Sequence, residues 1–230
     1  MLANRRSALR AFLAAFAASA IHARPKRTWT ILALGDSITA GGSSFHSYRG
    51  PLARMLQQAG FSVRWLGSQS TLQDEPQLHH EGYPGKPVEF LAANMQRIYR
   101  AAPADIILLH AGHNHNADEH PIPSIIASTR SIIETARKIN PHVIIFLAQV
   151  IPSGKLPKYA YIPALNRQIG SLAAELNTQG SPIILVKQAK RFDWQTDTIA
   201  DHVHPNEKGA LKMARAWFNA LKPVLSGHRS

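Results

Sequence analysis

Five short apolar runs, at residues 29–34, 61–66, 105–110, 143–148 and 183–186, constrain the fold of this chain more than any other feature. Runs such as Ile31-Leu32-Ala33-Leu34 and Ile106-Ile107-Leu108-Leu109 show no alternation of apolar and polar residues. A strand built from either is apolar on both faces, as in a parallel sheet covered by helices on its two sides. The segments between the runs carry the helical period instead. Residues 49–59 place Leu52, Met55, Leu56 and Ala59 on one face, and Gly60 stops them. Pro87 opens the next helix, through Val88, Leu91, Met95 and Ile98. Further helices are expected at 124–139, 162–176 and 206–221. Strand and helix alternation of this kind predicts an α/β chain, a three-layer α/β/α sandwich on a five-stranded parallel sheet with right-handed crossovers. Residues 68–86 hold turn formers and no strong period, and read as a loop.

The chain has 230 residues, 45% of them hydrophobic, which suits one core of moderate size. No linker, repeat or low-complexity segment interrupts it, so residues 24–230 read as a single domain. With no cysteine, disulfides, thiolate nucleophiles and cysteine-ligated metals are excluded. Residues 1–23 have the pattern of an export signal. Arg5, Arg6 and Arg10 precede an apolar stretch at 11–18, and Ala18-Ser19-Ala20 or Ala23 offers a small-residue cleavage site. Arg5-Arg6 with Leu9 is a partial twin-arginine pattern; a disordered tail or an organelle transit peptide is the alternative. The expectation is a secreted or periplasmic protein. No apolar run is long enough to insert stably in a membrane.

In an open α/β sheet, ligands bind outside the carboxyl ends of the strands. Gly35-Asp36-Ser37-Ile38-Thr39 follows the first strand and places a serine there. Taken alone the segment is equally a turn, since Gly, Asp and Ser are turn formers. A serine nucleophile needs a base and a group to orient that base. Asp201-His202-Val203-His204-Pro205 precedes the last helix, with Pro205 suited to its first turn. Across one tight turn the Asp201 carboxylate reaches Nδ1 of His204 and leaves Nε2 for a serine. Helix capping by Asp201 is the alternative, and His202 is a rival base that lies too close to Asp201. Donors for an oxyanion lie at the same edge: the Asn114 amide, after Gly112, and the backbone at Gly82 and Gly85.

The ordered set Gly35-Asp36-Ser37, Gly85, Gly112-x-Asn114 and Asp201-x-x-His204-Pro205 resembles the SGNH, or GDSL-type, hydrolases across nearly all of residues 24–230. Tyr48-Arg49-Gly50-Pro51-Leu52, Leu66-Gly67-Ser68-Gln69 and His80-Glu81-Gly82-Tyr83-Pro84-Gly85 look like the acetyl xylan esterase branch, carbohydrate esterase family three. The resemblance implies a flavodoxin-like fold and a cofactor-free esterase. It implies Ser37 as nucleophile, His204 as base and Asp201 as the residue that orients it. It implies an oxyanion hole of the Ser37 and Gly85 amides and the Asn114 side chain. The substrate it implies is a small-molecule or polysaccharide ester, acetyl first, with a short-chain lipid ester or lysophospholipid as runner-up. Two positions depart from the family pattern: His115 stands where Asp is usual, and Lys86 where the branch commonly has Trp. Asp36, His115 and Trp194 are candidate substrate contacts, Trp194 by stacking on a sugar ring or else by packing.

Two other classes compete. His79, His80, His110, His113, His115, His120, His202 and His204 invite a metal-dependent hydrolase, but their spacing matches no standard helical metal motif, and no metal site is expected. The excess of 26 Lys+Arg over 14 Asp+Glu invites a polyanion or nucleic-acid binder. Three of those cations lie in the leader, the rest are scattered without interleaved aromatics, and no nucleic-acid partner is expected.

Overall fold

The computed structural model describes residues 27–71 and 78–227. The proposed leader at 1–23 lies outside these residues. Seven strands form the sheet: β1 (Thr28–Gly35), β2 (Ser62–Leu66), β3 (Gln69–Ser70), β4 (His79–Gly82), β5 (Ile106–His110), β6 (Ile144–Ala148) and β7 (Ile183–Val186). The helices are α1 (Ser37–Ala40), α2 (Arg49–Gln58), α3 (Val88–Ala101), α4 (Ile122–Ile139), α5 (Ile162–Leu176), α6 (Trp194–Asp197) and α7 (Glu207–Gly227).

The five expected strands lie parallel in the order β2-β1-β5-β6-β7, the doubly wound arrangement of flavodoxin-like sheets. Their lack of polar alternation is explained by what each face meets. Leu32, Leu34, Ile107, Leu109, Ile145 and Leu147 pack into the core shared with α3, α4 and α5. The intervening Ile31, Ala33, Ile106, Leu108, Phe146 and Ala148 pack into the core shared with α2 and α7. In the second core Trp217 of α7 is fully buried, with its ring 5.6 Å from that of Tyr48. The layers are therefore α/β/α, as the hydrophobic pattern predicts.

The sheet departs from the five-strand expectation in the segment read as a loop. β4 pairs in parallel with the end of β1, through Leu34 and Gly35, and β3 pairs antiparallel with β4. β2 covers only Thr28–Leu32 on the same side of β1, so β4 takes its place toward the carboxyl end. The two cross at Gly67, where a Cβ would stand 2.3 Å from the His80 carbonyl oxygen and φ is +149°. Hydropathy misses β4 because its buried residues are polar and individually satisfied. His80 accepts from the Gly82 amide at 3.0 Å and pairs with Thr71 Oγ1 at 3.1 Å. Glu81 accepts from the Ser68 amide at 2.6 Å and from the Tyr83 hydroxyl. Burial, aided by Arg49 and His79, pushes the His80 imidazole down to about 3, so the ring stays neutral and Nδ1 remains an acceptor.

Candidate active site

Ser37 begins α1 immediately beyond β1. Asp36 caps that helix: its Oδ1 accepts from the Ile38 amide at 3.0 Å. The other end of α1 is held by a fully buried arginine. Arg49 donates to the carbonyls of Thr39 at 2.8 Å and Ala40 at 2.8 Å, and to Leu78 O at 2.6 Å. The Ser37 turn is thus fixed at both ends, and its three residues after Ser37 are buried while Ser37 itself stays half-exposed. As the first residue of α1, Ser37 also presents an amide N–H that no intrahelical bond uses.

The last loop brings the histidine. Asp201 Oδ1 accepts from the amides of Val203 at 2.9 Å and His204 at 3.0 Å, and Oδ2 lies 2.5 Å from His204 Nδ1. One carboxylate therefore both ties its own turn and fixes the ring. Burial alone would raise the Asp201 carboxyl, but the His204 ring and these two amides outweigh it and hold it below the usual carboxylate range. The remaining ring nitrogen, Nε2, lies 2.9 Å from Ser37 Oγ. A base oriented by a carboxylate and within reach of a hydroxyl can take its proton. Asn206 anchors the loop from behind, donating to Thr196 O at 3.0 Å and Thr198 O at 3.1 Å. A backbone bond from His46 N–H to Pro205 O, at 3.2 Å, joins it to the loop after α1. From that loop Phe45 stacks on His204, ring centroids 4.2 Å apart and planes 28° from parallel.

The two donor loops are stitched together. Asn114 donates from Nδ2 to Lys86 O at 3.0 Å, one residue beyond Gly85. An amide NH2 has two donors, so one hydrogen remains after this bond. Gly85 has φ +71° and nothing within 4 Å of where a Cβ would be, so its glycine serves backbone conformation rather than space. Asn114 shares the left-handed region at φ +69°, which asparagine tolerates better than most residues.

Of the three candidate substrate contacts, two are buried and one is half-buried. Asp36 is 1% exposed and serves as the helix cap beneath Ser37. His115 is buried, with Nδ1 3.1 Å from His113 O and Nε2 2.9 Å from Glu89 Oε2. It ties the Asn114 loop to α3, and a Ser124 hydroxyl donating to Glu89 at 2.6 Å extends the tie to α4. Trp194 is half-buried, with its ring against Gly154 and edge-on to the rival His202 at 5.2 Å. Arg49, Asn206 and Phe45 were missed as supports, and for Phe45 the sequence holds no signal, since its contact is with a residue far along the chain. The histidine crowd disperses: His110 and His113 are core residues, both held low by burial, His110 at about 4. Among the described residues no three His, Asp or Glu side chains are arranged to hold a metal ion.

A family model described as the GDSL-like lipase/acylhydrolase family matches residues 33–211, a span that includes every residue of this site. The chain belongs to that family. As a GDSL-like acylhydrolase it is a carboxylic-ester hydrolase, with the α/β/α fold that the SGNH resemblance implies. Among solved structures, a carbohydrate esterase family 3 protein from Talaromyces cellulolyticus is similar at 26% identity and TM-score 0.78, covering 86% of this chain and 99% of its own. A family 3 carbohydrate esterase from Clostridium thermocellum is similar at 27% identity and TM-score 0.78, covering 89% and 100%. An acetyl esterase mutant solved with acetate ion is similar at 25% identity and TM-score 0.78, covering 86% and 99%. No curated protein matches the chain. No helix among the described residues of this acylhydrolase is long and apolar enough to cross a membrane.

Proposed function

We propose that this GDSL-like acylhydrolase removes small acyl groups, acetyl first, from carbohydrate by a Ser-His-Asp acyl-enzyme mechanism without a cofactor. The observation that carries the reading is the 2.9 Å contact of Ser37 Oγ with an imidazole whose far nitrogen is held by Asp201. Ser37 Oγ attacks the ester carbonyl as His204 Nε2 takes its proton. The tetrahedral oxyanion receives hydrogen bonds from the Ser37 and Gly85 amides and the free hydrogen of Asn114 Nδ2. Collapse breaks the bond to the alcohol, and His204 returns the proton to that leaving oxygen. Water, deprotonated by His204, then attacks the acyl-serine; the Ser37 Oγ–acyl bond breaks, His204 returns the proton to Oγ, and the acid leaves. The imidazolium formed twice in this cycle faces the Asp201 carboxylate, which is favoured in its charged form. The acyl and alcohol assignments rest on the names of the similar structures, two family 3 carbohydrate esterases and an acetyl esterase.

The test is a rate series on p-nitrophenyl esters from acetate to decanoate, beside acetate release from acetylated xylan. Preference for acetate, activity that survives EDTA and a loss of at least about 10³-fold in Ser37→Ala support the reading. A preference for long chains overturns the carbohydrate assignment, and a loss under tenfold in Ser37→Ala overturns the mechanism. Export is part of the same proposal, on the strength of residues 1–23: the secreted chain should begin after Ala20 or Ala23 when its N-terminus is sequenced.

A further inference from the structure

The cations that look scattered in the sequence converge at one place. Beyond β7, the segment carrying Lys187, Lys190 and Arg191 faces the first turns of α7, which carry Lys212 and Arg215. Together they line a cavity of about 510 Å³, and no acidic residue lines it. Lys212 is matched by the buried Asp197 at 2.5 Å. Lys187, Lys190, Arg191 and Arg215 are exposed and form no ion pair among the described residues. Elsewhere arginines do find carboxylates, as in Arg27 with Asp105 and Arg130 with Glu175. Four unmatched cations around one concavity raise the local positive potential and favour an anion there.

Gln188 also lines this cavity and is buried, with Nε2 donating to Met213 O at 3.2 Å and Oε1 without a partner. Its Oε1 is closed off from solvent, so Gln188 fixes the wall, and the neighbouring site narrows the anion: on the carbohydrate reading, a sugar acid brings a carboxylate for the cations on the same polymer that carries the ester. No aromatic ring lines the cavity, so it lacks the base-stacking platform of single-strand binders. Two chain connections tie the cavity to the esterase site. Lys187 follows the carboxyl end of β7, the sheet edge that carries Ser37. α7 begins three residues after His204, and eight residues of helix from Glu207 to Arg215 span about 12 Å.

We infer that this cavity is a second binding site, for the uronate carboxylates of an acidic polysaccharide. It rests on the carbohydrate reading of the esterase site and extends it: the polymer is held by its charged substituents while an acyl group is cleaved nearby. Arg191 and Arg215 supply planar donors for a carboxylate, and the lysines supply mobile point charges.

Binding of an unacetylated galacturonate tetramer by calorimetry tests the site apart from catalysis, because this probe has no ester. Binding is expected for the tetramer and absent for neutral xylotetraose, and it should weaken as NaCl is raised. Replacing Lys187, Arg191 and Arg215 together by Gln should weaken it by about tenfold or more and leave p-nitrophenyl acetate hydrolysis unchanged, which also reports an intact fold. Arg130→Gln, on the α4 layer, should leave binding unchanged. The inference is overturned if the triple variant binds the tetramer as the parent does, or if xylotetraose binds equally well. It is also overturned if heparin or duplex DNA binds through these residues while the tetramer does not. Failure of the Ser37 reading would appear only in the ester assays.

Discussion

Replacing Asp36 by Asn should stabilise the protein, and by an amount that grows with pH. Asp36 is fully buried beneath Ser37. Its Oδ1 caps α1, and its Oδ2 has no hydrogen-bond partner and stands 3.8 Å from His113 Nδ1. Burial raises the carboxyl from 3.8 to about 6; the Ile38 amide and His204 offset only part of that effect. Below pH 4 the carboxyl is neutral in both folded and unfolded chains and contributes no difference. Between pH 4 and 6 the unfolded chain releases the proton while the folded chain keeps it. Native stability is lost across that window at about 1.4 kcal/mol per pH unit, for a total of about 3 kcal/mol, and the loss levels off above pH 6 to 7. Asparagine retains Oδ1 as the helix cap and carries no charge. Its NH2 would face the His113 ring, which burial keeps neutral and able to accept. Urea unfolding of both proteins from pH 4 to 8 should give a stability difference that climbs from its acid value by about 3 kcal/mol and then flattens. Parallel stability curves across the whole range would refute the assignment of a raised, uncompensated carboxyl.

Asp201→Asn should lower kcat about 10³- to 10⁴-fold with little change in KM in p-nitrophenyl acetate kinetics, because the amide cannot hold the ring as the carboxylate does. Asn114→Gly suits the backbone φ of +69° and removes the amide with its bond to Lys86 O, so a loss of about 10²- to 10³-fold in kcat is expected, read beside a circular dichroism melt lowered by no more than about 1 kcal/mol of stability. Phe45→Ala removes the ring stacked on His204 and should lower kcat about three- to tenfold, with Phe45→Tyr restoring it in the same assay.

The legibility of the site followed the range of the interactions involved. The Asp201 turn is local: the carboxylate, two amides and the ring it binds all lie within four residues, and the motif displays them. Asp36 looked equally available to a substrate, yet one residue of difference puts Ser37 at the surface and Asp36 beneath it, because the turn rotates the side chains inward. His115 read as a candidate substrate contact, and it lies buried as a link to Glu89, 26 residues upstream. β4 was invisible because polar strands are stabilised by partners chosen one at a time, among them Thr71, Ser68 and Tyr83.

By itself the sequence determined the α/β/α layers, the five parallel apolar strands and the order in which serine, glycine, asparagine, aspartate and histidine arrive at the loops. These are written in hydrophobic period and turn chemistry, which act between near neighbours. Tertiary structure alone decided that Ser37 and His204, 167 residues apart, meet at 2.9 Å. It also decided that Phe45 covers the imidazole and that cations from two separate segments surround one cavity. Contacts of this kind depend on how the parallel crossovers return the chain to one sheet edge, and no local pattern encodes that return.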